Sequence, residues 1–428
     1  MQIIIVFGGI ILLLLIGVSI PYIVGSAITV AYIFTDNAAF LAALPKRIFT
    51  QIDLFALMAM PLFILVGEVM NKGGITDALV KSSQVIVGRF RGGLGYTNIM
   101  TSVFFAGISG AAMADAAALS NTLVPAMKKS GYSNLYAASI TAASAIIGPI
   151  LPPSIILIFY GAIMGVDVSA LFIAGIVPGL LLAFVLGIAN GYFAIRHNHP
   201  GGKNVDIPPL GKTLKSSAPA LMLPLIIIFG IIFGLMTPTE AAGVAVIAAF
   251  IVSYKYGKFD FTMITESLGR TIILSGSIFI MFGTASAVSF LATLSLIPQQ
   301  LAEWVSTIGL TGDIFLVSLM AVFLILGMFA ETQIALILVA PLLVPIALAQ
   351  GADPVHMGII VCLNLSMGLI SPPLGGVLLV TSTITGVKYW TLVRGVLPFF
   401  IIEMILLVIL VLYPELTLYL PRALDVIK

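Results

Sequence analysis

The sequence carries little charge. Only 8% of its 428 residues are Asp, Glu, Lys or Arg, whereas 60% are hydrophobic; a soluble domain carries about 25% charged residues. A chain of this composition hides most of its surface from water, so we expect it to lie in a lipid membrane. The formal net charge of +2 offers no basic surface for nucleic acid, which excludes a nucleic-acid-binding protein.

Cysteine and histidine are also rare. Cys362 is the single cysteine, which excludes a disulfide bond within the chain and a cysteine-rich metal site. The three histidines form no HExxH pattern, and the sequence contains no P-loop nucleotide motif. No nucleophile is paired with a base at one depth of an apolar segment. We therefore expect neither an enzyme nor an ATP-driven pump.

Long apolar runs make up most of the chain. A spanning helix needs about 20 apolar residues, and short polar interruptions divide the chain into roughly a dozen crossings or half-crossings. The first run, residues 3–20, has no basic start and no signal-peptidase site, so we interpret it as a retained span. One long polar segment, residues 196–217, divides the chain in half and is predicted to be a linker.

The two halves of the chain repeat each other. Residues 148–153 read GPILPP and residues 368–373 read GLISPP, an offset of 220. The same offset relates five further Gly and Pro pairs: Gly107 and Gly327, Pro125 and Pro345, Gly131 and Gly351, Gly175 and Gly395, Pro178 and Pro398. Transporters are often built from two such repeats.

We therefore predict an all-α polytopic membrane protein of two repeats, residues 1–195 and residues 218–428. Each repeat would begin with scaffold helices, over about 1–95 and 218–310. A hairpin and a broken helix would follow, over about 97–195 and 312–428.

The distribution of Lys and Arg predicts that the repeats are inverted. With the linker placed in the cytoplasm, 15 basic residues fall on the cytoplasmic side. The other four fall outside: Lys46, Arg47, Arg422 and Lys428. Lys128 and Lys129 are cytoplasmic in this tracing, but the equivalent loop, residues 348–353, has no basic residue and lies outside. Equivalent loops on opposite sides indicate inverted repeats, and both termini are then predicted to be periplasmic.

Each half contains a Gly-rich turn within an apolar stretch, at residues 106–111 and 327–332. We interpret these turns as tips of re-entrant helical hairpins, where free amide groups at helix N-termini would bind the carboxylate of an anionic substrate. The tip residues expected to bind it are Ser109, Gly110, Ala330 and Thr332. Ser144 and Asn364, again 220 apart, face the breaks on helical spacing and either touch the substrate or bridge helices.

Each half also contains a Pro-Pro break, at residues 152–153 and 372–373. Two successive prolines remove amide donors and leave carbonyl oxygens of the preceding turn unpaired, and small hard cations prefer oxygen ligands. The sequence therefore predicts two related sodium sites. The available oxygens belong to Ser109, Glu331, Ser371 and the backbone near Gly148, Leu151, Gly368 and Pro373.

Two acidic residues leave alternatives open. Asp115 lies inside an apolar segment, which indicates function. It equally fits a helix cap, or a residue that orders the tip by contacting the ion ligands and not the ion itself. Glu331 has Ala111 as its repeat partner, so a direct ligand at Glu331 would break the symmetry. Proton coupling through Asp115 and Glu331 competes with sodium coupling. An ion channel is a further alternative, although few polar stripes are present to line a pore.

In combination, these segments resemble the large (M) membrane subunit of tripartite ATP-independent periplasmic (TRAP) transporters. The matching segments are FFAGISGAAMADAAALSNTLVPAMKKSGY, GPILPPS with the downstream AGIVPG, GMFAETQIALILVAPLLVPI and GLISPPLG, and the resemblance covers essentially the whole chain. It implies the elevator fold of the wider ion-transporter superfamily, in which both hairpins and both broken helices move against a scaffold. It also implies sodium-driven uptake of an organic anion across the bacterial inner membrane, with two or more sodium ions. Sialic acid (N-acetylneuraminate) and C4-dicarboxylates are the candidate substrates, with a small preference for sialic acid on resemblance alone.

The resemblance further implies partners and ion ligands. Family members need a soluble periplasmic protein that delivers the substrate and a small four-helix membrane subunit, expected here as a separate chain because the first span begins at residue 3. The first sodium site would be formed by Ser109, Gly148, Leu151 and Pro153. The second would be formed by Glu331, Gly368, Ser371 and nearby carbonyls such as that of Pro373. Many relatives have a Ser where this chain has Ala111, so only the backbone carbonyl of Ala111 is expected to bind there.

Overall fold

The structure is a computed structural model and describes residues 13, 16–34, 38–201 and 209–427. Over these residues all regular structure is helical. Seven of the described helical segments are long and apolar enough to cross a membrane, and five shorter apolar helices accompany them. The prediction of an all-α polytopic membrane protein is confirmed. Most of the span predicted over residues 3–20 lies outside the described residues.

The first half of the chain forms nine α-helices in its described part. They are α1 (Ile20–Phe34), α2 (Leu44–Ile52), α3 (Ala59–Lys72), α4 (Ile75–Val87), α5 (Gly93–Ala106), α6 (Ala112–Lys129), α7 (Asn134–Ser144), α8 (Ile155–Met164) and α9 (Val168–Arg196). Three short 3-10 helices lie between them, at Ala38–Ala43, Phe55–Met58 and Ala145–Ile147.

The second half forms ten α-helices in its described part. They are α10 (Leu210–Ile232), α11 (Pro238–Lys255), α12 (Phe261–Leu294), α13 (Ile297–Ile308), α14 (Gly312–Phe329), α15 (Thr332–Ala349), α16 (Pro354–Gly368), α17 (Gly376–Thr385), α18 (Tyr389–Leu412) and α19 (Glu415–Ala423). Helix α10 begins inside the segment predicted to be a linker. Its first turns are amphipathic, with Lys212 and Lys215 exposed and Thr213 buried. Because of these exposed lysines, the sequence of the first turns resembles that of a polar loop.

Short polar side chains begin many of these helices. Ser133 accepts a hydrogen bond from the amide of Tyr136 (3.1 Å) and starts α7. Asp167 accepts from the amide of Ala170 (3.1 Å) and starts α9. Such caps satisfy amides that have no partner within the helix. They place each helix start at a defined residue, and so fix where the neighbouring breaks lie.

The repeat seen in the sequence is present in the helices. Adding 220 to both ends of α6, residues 112 and 129, gives residues 332 and 349, which are the ends of α15. Adding 220 to residue 134, the start of α7, gives residue 354, the start of α16. The scaffold parts differ, because α2 and α3 are separated by a 3-10 turn whereas their counterpart α12 is a single helix of 34 residues.

The two broken helices run antiparallel to each other. The first broken helix consists of α7 and α8, and the second of α16 and α17. Asn134, at the start of the first, donates from Nδ2 to the carbonyl of Thr385, at the end of the second (3.1 Å). Tyr160, near the end of the first, donates from its hydroxyl to the carbonyl of Pro354, at the start of the second (2.9 Å). Equivalent loops therefore lie at opposite ends of the bundle, which confirms the inverted repeats.

The loops form two separate groups. At the linker end, named for the central linker, the amide of Gly92 donates to the carbonyl of Pro200 (3.2 Å), and Gly131 packs against Pro200. At the opposite, distal end, Gln350 donates to the carbonyl of Leu310 (3.4 Å). Lys128 and Lys129 end α6 beside Gly131, so they belong to the linker end. The positive-inside rule predicts that the linker end is cytoplasmic; that orientation stays a prediction.

The hairpins pack across the repeat boundary. The first hairpin is α5 and α6, and the second hairpin is α14 and α15. Helix α6 packs against α17, and in the reciprocal contact α15 packs against α8. Each hairpin therefore lies beside the broken helix of the other repeat as well as its own. Helix α3 packs against both α11 and α12, and it forms the core of the predicted scaffold with them.

Candidate functional site

The first hairpin tip rests directly on the first Pro-Pro break. Between α5 and α6, Gly110 has a positive φ of +59°, and a Cβ atom at this position would lie 2.4 Å from the carbonyl oxygen of Pro153. Only glycine fits both the left-handed backbone and the close approach. The structure thus brings together the predicted site residues Gly110 and Pro153, with Ala111 next in the chain.

A buried carboxylate lies beneath this tip. The hydroxyl of Ser109 donates to Oδ1 of Asp115, whose side chain is 1% exposed. The other oxygen, Oδ2, has no hydrogen-bond partner among the described residues. It points at Gly148, where a Cβ atom would lie 2.4 Å away from it. Asp115 therefore lies beside both the tip and the break, and its role at an ion site stays a prediction.

This arrangement suits a cation. Burying a carboxylate oxygen without a partner costs several kcal/mol unless a positive charge or a proton compensates it. Asp115 and Ser109 supply hard oxygen atoms, and the carbonyl oxygen of Pro153 at the break lies next to Gly110 of the same tip. Sodium prefers such ligands, so the residues present fit the ion that the sequence predicts.

Two glycines of α9 hold the first break in place. A Cβ atom on Gly175 would lie 2.3 Å from the carbonyl oxygen of Ile150, and one on Gly179 would lie 2.5 Å from the side chain of Leu151. The side chain of Leu151 packs on Gly179 and carries no ligand atom, so only the backbone carbonyl of Leu151 is available to an ion. The peptide bonds Pro152-Pro153 and Pro372-Pro373 are both cis.

The second hairpin meets the second break by glycine-to-glycine contact. A Cβ atom on Gly368 would lie 2.3 Å from the carbonyl carbon of Gly327, and the amide of Gly375 donates to the carbonyl of Met328 (3.5 Å). A Cβ atom on Gly376, just after this break, would lie 2.9 Å from the sulfur of Met113 in the first hairpin. The two breaks and the first tip are therefore neighbours.

The predicted second sodium site is assembled less completely. Ser371 is 1% exposed and lies next to the break. The carbonyl of Pro373 already accepts a hydrogen bond from the hydroxyl of Tyr389 (2.9 Å). Glu331 is an exposed residue at the start of α15, between Ala330 and the buried Thr332. Within the described part of the chain, no hydrogen bond or ion pair joins Glu331 to Ser371 or Gly368. Their role as ligands stays a prediction.

Ser144 and Asn364 bridge helices in this structure. The hydroxyl of Ser144 donates to Oδ1 of Asn98 (2.9 Å) and accepts from the hydroxyl of Ser102 (3.0 Å). Asn364 donates from Nδ2 to the carbonyl of Met320. Both side chains are 0% exposed, and each joins a broken helix to the first arm of a hairpin. These hydrogen bonds correspond to the alternative in which Ser144 and Asn364 bridge helices. Contact of the two side chains with substrate stays a prediction.

Two polar residues at or near these elements are not predicted from the sequence. Tyr389 donates to the carbonyls of Pro373 and Leu374, so it caps the second break; no sequence signal separates it from an ordinary interfacial tyrosine. Glu403 is 0% exposed in the middle of α18, and neither of its carboxylate oxygens has a partner among the described residues. A lone Glu within the apolar run PFFIIEMILL was a usable signal, because such residues are rare in spanning helices.

Comparison with known proteins identifies the family of this chain. Residues 7–416 match the family described as tripartite ATP-independent periplasmic transporter, DctM component. The sialic acid TRAP transporter large permease protein SiaM of Vibrio cholerae is 34% identical over 396 residues, covering 92% of this chain and 93% of the relative. The C4-dicarboxylate TRAP transporter large permease protein DctM of Pseudomonas aeruginosa is 34% identical over 401 residues, covering 92% of each chain.

A solved structure shows the same fold at low sequence identity. The YdaH transporter of Alcanivorax borkumensis superposes with a TM-score of 0.64 over 91% of this chain and 90% of its own, at 14% identity. The relatives are permeases, which agrees with the expectation of a transporter rather than an enzyme. With its matching repeats, hairpins and breaks, the chain belongs to the DctM family, the large membrane components of tripartite ATP-independent periplasmic transporters.

Proposed function

We propose that this chain imports an organic anion across the bacterial inner membrane, coupled to sodium ions, by an elevator movement of its hairpins and broken helices. The observation that carries the proposal is the unpaired, buried Oδ2 of Asp115 beside the Ser109 hydroxyl and the first break. A sodium ion there would compensate the carboxylate and tie the tip to the break. The tip amides would then be ordered for a substrate carboxylate.

The elevator movement is supported by how the hairpins meet the scaffold. A Cβ atom on Gly107, at the first tip, would lie 2.5 Å from Pro224 of α10, and one on Gly67 of α3 would lie 3.7 Å from the Cβ of Ser109. These are contacts between small side chains and a proline, without hydrogen bonds across them. Such a surface resists sliding less than an interlocked one, because few side chains must change rotamer.

The substrate and partners follow from the family. Relatives are named for sialic acid and for C4-dicarboxylates, and both compounds carry a carboxylate. We propose one of these acids as the substrate, a periplasmic binding protein as its donor, and a separate small membrane subunit as the second membrane chain. The linker end would face the cytoplasm, with both chain termini in the periplasm.

Proton coupling is the second candidate, because a proton on Asp115 would also remove the unpaired charge. The test uses the large and small subunits together in liposomes, with the cognate binding protein and labelled N-acetylneuraminate or succinate. We expect accumulation when a sodium gradient is imposed at clamped pH. Uptake that needs a proton gradient and ignores sodium would reject sodium coupling. Equilibration without accumulation would indicate a channel.

A further inference from the structure

A large cavity lies between the predicted scaffold and the predicted mobile domain. Its volume is about 610 Å³. One wall is formed by α2 and α12 of the scaffold, and the other by the end of α8 at Ile163 and by Ile337 and Pro341 of α15. Because one wall belongs to each domain, any movement between the domains would change this space.

The charge of the cavity is positive. Lys46 and Arg47 line it, and none of the lining residues is Asp or Glu. Among the described residues, neither of these two side chains forms an ion pair. The guanidinium carbon of Arg47 lies 3.5 Å from the centroid of the Phe290 ring, and stacking of this kind orients the guanidinium without neutralising it. Within the described part of the chain, the two positive charges of the cavity therefore have no acidic partner.

Hydroxyl groups accompany these charges. Thr50, Ser286, Ser289 and Thr293 line the same space. The Ser286 hydroxyl is buried and has no hydrogen-bond partner among the described residues. An arginine with surrounding hydroxyls matches a carboxylate that carries further hydroxyl or carboxyl groups, because the guanidinium binds the carboxylate and the hydroxyls bind the rest.

The cavity lies on the way from the distal end to the hairpin tips. Arg47 stacks near the end of α12, which leads through α13 to Leu310 at the distal end. Ile337 is five residues beyond Thr332, the first residue of α15, which corresponds to about 8 Å along the helix axis. The sequence places Lys46 and Arg47 on the periplasmic side. A solute moving from the periplasm to the tips would pass this space.

We propose that this cavity is an entry site that captures the anionic substrate from the periplasmic side before it reaches the hairpin tips. Arg47 binds the carboxylate, Lys46 raises the local anion concentration, and the hydroxyls of α12 hold the remaining polar groups. This inference rests on the proposed function and adds the entry route to it. It predicts that a site outside the tips controls the apparent affinity for the substrate.

The charge of the cavity can be measured without a transport assay. Ser289→Cys places a thiol in the cavity, and the native Cys362 is 0% exposed and gives the background rate. The complete complex in intact cells is treated from outside with anionic sulfonatoethyl or cationic trimethylammonioethyl methanethiosulfonate. We expect the anionic reagent to react faster, after correction for intrinsic rates, and Arg47→Gln to reduce the ratio about fivefold or more. An inaccessible thiol, or a ratio unchanged by Arg47→Gln, would overturn the proposal.

The binding part is measured by uptake of N-acetylneuraminate or succinate, whichever the native complex imports. Arg47→Gln is expected to raise the KM about tenfold with little change in Vmax, and Arg47→Lys is expected to restore part of the affinity. Lys255→Gln, which removes one exposed charge at the end of α11, is the control and should leave the KM unchanged. A KM unchanged by Arg47→Gln would refute capture. Absence of any sodium-driven uptake by the native complex would refute the proposed function, and the thiol rates would still decide the charge of the cavity.

Discussion

Oδ2 of Asp115 occupies the space that a side chain at Gly148 would need. A Cβ atom on Gly148 would lie 2.4 Å from this oxygen, although the two residues belong to different elements, the second arm of a hairpin and a helix break. Glycine at this position thus lets a carboxylate approach the break. The proposed ion site depends on that approach, which a single methyl group would prevent.

Gly148→Ala is therefore expected to reduce sodium-driven uptake by at least about tenfold, because contacts below 3.0 Å force either the carboxylate or the break to move. Initial uptake rates in liposomes, at equal amounts of folded protein, measure the effect. Gly243→Ala is the control, since its Cβ would meet nothing within 4 Å, and it should keep native rates. Normal uptake by Gly148→Ala would show that the Asp115 approach is dispensable.

Asp115→Asn tests the charge itself. The amide keeps the shape of the carboxylate but cannot compensate a cation, so the sodium concentration for half-maximal uptake should rise about tenfold or more, a change of about 1.4 kcal/mol in binding. Ser109→Ala should raise it less, because it removes one neutral oxygen. Asp313→Asn, at an exposed position in the first turn of α14, is the matched control. An unaltered sodium dependence in Asp115→Asn would remove this residue from the ion site.

Ser144→Ala separates bridging from substrate binding. Loss of the hydroxyl removes the donor to Oδ1 of the buried Asn98 and the acceptor for the hydroxyl of Ser102, which costs about 1–3 kcal/mol. We expect a lower thermal unfolding midpoint and a substrate KM within about twofold of the native value, an effect too small to represent a lost contact. Asn364→Leu should behave in the same way. Ser139→Ala, on the same helix, removes a hydroxyl without a partner and should not lower the midpoint. A large KM change in stable Ser144→Ala protein would favour substrate contact.

Glu403→Gln tests whether the buried carboxyl of α18 takes part in coupling. A fully buried carboxylate without a partner is costly when charged, so we expect Glu403 to be protonated and Gln to replace it without loss. The unfolding midpoint should not fall, and sodium-driven uptake should continue at a native rate. If the folded variant lost uptake, Glu403 would instead carry a proton or help bind an ion.

The repeat and its breaks could be predicted from the amino-acid sequence alone. Glycine and proline restrict the backbone wherever they occur, so an offset of 220 between such residues already locates both hairpin tips and both Pro-Pro breaks. The helix ends follow from the same local rules, and α6 and α15 match to the residue. Ser109 and Asp115 could be selected because a polar group in an apolar run is costly without a role.

The packing of the helices, which residue types do not reveal, brings particular groups together. Ser144 is buried against Asn98 and Ser102, Tyr389 covers the carbonyl of Pro373, and Arg47 faces Pro341 across a cavity. Such arrangements bring together segments as much as 294 residues apart, from residue 47 to residue 341. They depend on how whole helices pack, and residue type alone does not predict which neighbours a side chain will have.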